Sequence, residues 1–217
     1  MKVTTLKTVP AQRRKAGAFT LIEMIGVLAV IAILAALLIP KVFTAISNAR
    51  VNNAAVSTQT VKTALADHYA KFGSIPVDGS GASPVTLTNF PVLNYDAVLL
   101  KEGFLDKPFA VKIGDGTTNT TIKVIDISGA AFALGATVGA TDATGYALSG
   151  TNSANQTVGS ALVEAVITGV TENDAKDLSE RIDGVSLSTA VGTSDTAGRV
   201  KYATGTPTTV YVYLTHR

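Results

Sequence analysis

The sequence predicts an α+β protein: a long N-terminal helix, membrane-spanning in its first half, packed against a C-terminal antiparallel β-sheet domain. Three observations predict it. Residues 19–39 form a 21-residue apolar run whose only charge is Glu23, and about 20 such residues span a bilayer as a helix. No Gly or Pro interrupts residues 41–72, and Gly73 follows where a helix cap belongs. Near the C-terminus, Val210, Val212 and Leu214 alternate with Tyr211, Tyr213 and Thr215, the period of a strand with one buried face.

Ahead of the apolar run lies a basic leader. Residues 1–18 hold Lys2, Lys7, Arg13, Arg14 and Lys15 and no acid. Cations beside a membrane span stay on the cytoplasmic side, so the leader is expected to be cytoplasmic. The chain's net charge of +2 misleads: without those five, 13 of its 18 basic residues face 16 acids, a net of −3. A mildly acidic body argues against a broad nucleic-acid surface, which needs clustered Lys and Arg. There is no cysteine, so the C-terminal domain relies on packing and hydrogen bonding rather than disulfides.

An ordinary secretory signal has a shorter apolar region of about 7–15 residues and a small-residue cut beyond it. Here the run is longer, and the small residues Ala16, Gly17 and Ala18 precede it. A simple anchor explains the length but not an acid five residues into the run, because a charge within the bilayer is costly. The junction Gly17-Ala18-Phe19, then Glu23, then Pro40 resembles the class III signal of type IV pilins and type II secretion pseudopilins.

The resemblance implies a leader, residues 1–18, removed by a prepilin peptidase between Ala18 and Phe19, with Phe19 then N-methylated. Glu23 becomes the fifth mature residue, where the family carries its assembly glutamate, and Pro40 takes the place of its helix-kinking proline. The family normally has Gly directly before the cut; Ala18 departs from that, but cutting after Gly17 would move Glu23 out of register. Fold, partners and location follow from the likeness. The chain is expected to be no enzyme but a single-pass inner-membrane precursor, and afterwards an extracellular or periplasmic filament. The implied partners are the peptidase, an assembly ATPase, an inner-membrane platform, minor pilins and other copies of the chain. A type II secretion pseudopilin and a membrane-anchored extracellular binding module are the alternatives. The Trp-Gly dipeptide of major pseudopilins is absent, as the chain has no Trp.

The remaining elements follow in order. The helix is expected to cover residues 19–72, about 80 Å long at 1.5 Å per residue, with 19–39 as membrane span and filament core. Pro40 should kink or locally melt it. Beyond it, Val42, Ile46, Ala49, Val56, Leu65, Tyr69 and Phe72 stand at steps compatible with one buried face. Residues 73–217 form the globular domain. Within it, 77–84 read as a loop, 95–103 as a short helix stopped by Gly103, and 110–113, 121–127, 146–149 and 161–167 as strands. Thr171 caps a helix over 171–182, with Asp174 in the manner of a capping box and Gly184 at its end. A hairpin of 198–203 and 208–215 closes the chain.

No catalytic constellation stands out. The two histidines, His68 and His216, are far apart in sequence; His68 reads as a helix-surface or packing residue, and no zinc spacing is present. Asp115-Gly116-Thr117-Thr118-Asn119 places oxygen donors on a turn that could hold calcium, yet it lacks the alternating acids of an EF-hand loop, so a plain turn and no cofactor is the preferred reading. Asn119-Thr120-Thr121 is a glycosylation sequon, which would be exposed if used.

Overall fold

The computed structural model describes residues 19–75, 95–114, 119–126, 137–141, 144–151 and 161–216. The loop expected at 77–84 and the leader, with Gly17 and Ala18, lie outside these residues. Two compact units divide the chain, Met1–Phe43 and Thr44–Arg217.

Helix α1 covers Leu21–Phe72. Its end is set by Gly73, whose N–H bonds the Tyr69 carbonyl at 2.7 Å with φ at +74°, a left-handed position that glycine takes without steric cost. Helical backbone continues through Pro40, so the local melting foreseen there does not occur. The missing N–H costs only one ladder bond, and the turns on either side hold the helix together.

In the second unit the buried stripe of α1 is Val51, Ala54, Thr58, Val61, Leu65 and His68, with Ala64 beside it. These six recur at steps of three and four, the spacing of one helical face. The expected face is therefore corrected. Of its members only Leu65 is buried, while Ile46 is 44% and Val56 67% exposed. Two apolar stripes compete on this half-helix, and the one matching the sheet's apolar face is the one that packs.

The sheet has four strands, β1 (Thr120–Asp126), β2 (Ala161–Val170), β3 (Val200–Tyr202) and β4 (Thr208–His216), in the order β1-β2-β4-β3. All three pairings are antiparallel, with Val124 opposite Val163 and Ala165 opposite Val212. One face, including Ile122, Val163, Ala165, Val210, Val212 and Leu214, joins the α1 stripe in a single core. Tyr146 and Leu162 build a smaller cluster with Tyr211 and Tyr213. Strand β2 is thus buried on both faces, which explains its nearly continuous apolar sequence.

Two expected strands are not strands. Residues 110–113 are irregular, and 146–149 are a turn joined by one bridge, Ala147 to Ala197. Both segments read as strands because they are apolar, yet they serve as covering layers. The short helix α2 is Asp96–Lys101, followed by Gly103. Helix α3, Glu172–Ile182, is capped by Thr171, whose hydroxyl accepts the Asp174 N–H at 3.3 Å. Its expected capping box is only half made. Asp174 accepts from Ser47 Oγ at 2.8 Å and from Gly114 N–H at 3.1 Å instead.

At the other end of α3, Asp183 accepts the Arg199 and Val200 N–H groups at 2.7 and 2.8 Å and the Arg199 Nε at 3.0 Å. Gly198 has φ +85°, and a Cβ there would meet Asp183 Oδ2 at 2.6 Å, so no larger residue fits this close approach. These bonds fix β3 against α3.

A fragment starting at Ser47 keeps the buried stripe and the Ser47–Asp174 bond while discarding the apolar half of α1. It is expected to be soluble and folded, with helix and strand visible by circular dichroism and a cooperative urea transition. A non-cooperative transition would show that the domain needs the first half of the helix.

Candidate functional site

The N-terminal residues carry the chemistry expected of this chain. Phe19 and Thr20 stand outside the helix, and Phe19 is 79% exposed. Glu23 lies in the first turn of α1. Its Oε2 accepts the Thr20 N–H at 2.9 Å and the Thr20 hydroxyl at 2.8 Å. In return the Glu23 N–H donates to Thr20 Oγ1 at 3.3 Å. This is a complete capping box, Thr20-Leu21-Ile22-Glu23, and it satisfies two backbone donors that a helix start leaves unpaired. Glu23 Oε1 has no partner among the described residues. Beyond it, α1 is long and apolar enough to cross a membrane, and side chains such as Leu21 (77%) and Leu37 (68%) point outward.

The globular unit holds a different kind of polar group. His68, foreseen as a surface or packing residue, is fully buried. Its Nδ1 meets Glu102 Oε2 at 2.5 Å, and its Nε2 meets the Tyr95 hydroxyl at 2.9 Å. Burial, and then the Glu102 carboxylate, push the Tyr95 phenol up from its ordinary value. Phe72 and Phe104 pack on the imidazole with centroids at 4.9 and 5.9 Å. With Tyr95 and His68 both closed off from solvent, the cluster ties α2 to α1; it offers no reacting group to a substrate.

A second buried cluster surrounds Lys201. Its Nζ donates to the Thr144 carbonyl at 2.7 Å and lies 4.1 Å from the Tyr146 ring centroid, while the Tyr146 hydroxyl donates to buried Glu164 at 2.6 Å. Such a cation is held by carbonyls and a ring face rather than by water. Of the turn considered for calcium, residues 115–118 lie outside the described residues. Asn119 of the sequon is exposed.

A family model described as the prokaryotic N-terminal methylation motif matches residues 13–39. That match covers the basic residues before the junction, the junction itself, Glu23 and the apolar half of α1. The N-terminus is a type IV pilin-like class III signal. No curated protein and no solved structure matches the chain. The signal points to a structural protein that begins as a membrane-anchored prepilin peptidase substrate. Within it, the role of Thr20 is the feature that reading the charges missed. The Thr-x-x-Glu spacing at the head of an apolar run was the available clue, overshadowed by the more conspicuous carboxylate.

Proposed function

We propose that this chain is a structural subunit of a type IV pilus-like filament. The observation that carries the reading is the methylation motif, with Glu23 in fifth place after the Ala18–Phe19 junction. Prepilin peptidase removes residues 1–18, and Phe19 becomes the N-methylated first residue. The new amine, with an ordinary pKa near ~8, is cationic at neutral pH, and methylation keeps it so.

In the assembled fibre that amine meets Glu23 of an adjacent subunit. Thr20 occupies only Oε2, which leaves Oε1 for the incoming cation. Among packed apolar helices the attraction is far stronger than in water, and it fixes the axial register of one helix against the next. Contacts of this head-to-tail kind do not close, so they build an open helix of subunits. Residues 19–39 form the filament core, Pro40 is the bend point, and residues 73–217 form the outer layer. An assembly ATPase, a membrane platform and minor pilins complete the route from inner membrane to fibre.

Intact-mass measurement on protein taken from membranes tests the first step. The expected species begins at Phe19, is 199 residues long (217 less the 18 of the leader) and carries one extra methyl. A mature species that still includes Lys15 to Ala18 would overturn the reading.

A further inference from the structure

Thr20 has no part in the assembly pairing, yet it makes three bonds with Glu23 at the head of α1. We propose that the Thr20–Glu23 capping box is a helix stop that positions the cleavage bond for the peptidase. The inference rests on the processing step above.

The argument begins with what the chain would do without the stop. Residues 11–16, Ala-Gln-Arg-Arg-Lys-Ala, are strong helix formers, and Ala18 is another. A helix once nucleated extends at little cost through such residues. Only Gly17 resists, and a single glycine interrupts a helix weakly. Continuing α1 backward would place the Ala18–Phe19 bond inside a helical turn. There its carbonyl is hydrogen-bonded and its flanks are covered, and proteolysis acts on the opened form of a chain.

The box prevents this locally. A capping residue takes non-helical backbone angles while its side chain occupies the N–H three residues on. Thr20 meets the second condition through the Glu23 N–H, and the helix accordingly begins at Leu21. Phe19 is thereby left outside the helix and exposed. The peptidase then adds water across the Ala18–Phe19 bond, giving a carboxylate on the leader and the amine of Phe19. Thr20 is a positioning residue in this step; it acts by deciding where the helix starts.

Full-length precursor in detergent micelles, incubated with purified prepilin peptidase, tests the proposal. Thr20→Ala and Thr20→Val remove the cap, so kcat/KM is expected to fall about fivefold, the scale of a lost N-cap. The fall should lie in KM, because only the fraction of precursor with an open junction binds. Thr20→Ser retains the cap and should restore the wild-type value. Amide exchange at Phe19 should slow in the Ala and Val variants, reporting a helix that has grown backward. Unchanged cleavage of Thr20→Ala and Thr20→Val overturns the proposal. So does a Ser variant as slow as Ala, or slow cleavage with unchanged exchange at Phe19, since either means that the peptidase reads the threonine directly. If wild-type precursor is not cut at all, the processing reading itself fails.

Discussion

Glu23→Val is expected to leave the protein in the membrane, processed and without fibres. Replacing the carboxylate by an apolar group makes α1 easier to insert, so the protein should accumulate in the membrane fraction. Cleavage should continue, because Thr20 Oγ1 can still cap the N–H of residue 23, a backbone group that the substitution retains. Assembly should fail, because a neighbour's methylated amine enters an apolar core with no counter-charge. Glu23→Gln separates the two roles of this residue. Gln serves in a capping box as well as Glu does, so the helix start is preserved, yet it cannot neutralise the amine. A defect in Glu23→Gln close to that of Glu23→Val would assign assembly to charge rather than to capping. Electron microscopy of surface fibres, with immunoblots of membranes, reads both variants. Abundant normal fibres from Glu23→Val, with no other subunit supplying a carboxylate, would leave apolar packing as the sole assembly force.

The second large effect belongs to the globular unit. His68→Ala should destabilise the domain by about 3–5 kcal/mol, the usual cost of stranding one partner of a buried charged pair. Glu102 has a side chain only 5% exposed, and its Oε1 already lacks a partner among the described residues. Removing the imidazole takes away the donor to Oε2 and leaves the Tyr95 hydroxyl unpaired as well. It also opens a cavity between Phe72 and Phe104. The double variant His68→Leu with Glu102→Leu removes donor and acceptor together, so it should recover much of the loss. Urea denaturation of the fragment starting at Ser47 measures all three. A His68→Ala loss below about 1 kcal/mol, within the range of ordinary surface substitutions, would show that the cluster is not a structural tie.

Both predictions place the chain's two kinds of polar group in separate settings. Glu23 sits among outward-facing apolar side chains, with one oxygen engaged locally and the other directed to assembly. His68, Glu102, Lys201 and Glu164 are enclosed, and their partners come from within the domain. A filament subunit needs this division. Its helix must offer one unmet charge to a neighbour, while the domain that forms the outer layer must keep its own polar groups satisfied.

Several features of the chain follow from chemistry within a few residues of each other. The limits of α1 need only an uninterrupted run, a capping box at Thr20–Glu23 and a glycine at 73. The membrane span needs only length and apolarity, and the processing signal is a contiguous motif. Helix α3 and the β3–β4 hairpin likewise announce themselves by a Thr cap and by alternation. Other features depend on residues far apart. Val51, Ala54, Thr58, Val61, Leu65 and His68 form the buried face rather than the stripe through Ile46 and Val56, because the sheet beneath selects between two locally equivalent stripes. Segments 110–113 and 146–149 have strand-like composition, but both serve as cover, since pairing requires a free neighbouring edge and β2 already has β1 and β4 on its two sides. His68 meets Glu102 across 34 positions, and Lys201 meets Thr144 across 57. No local pattern encodes such encounters; they arise only when the closed core brings those side chains together and removes the water they would otherwise bind.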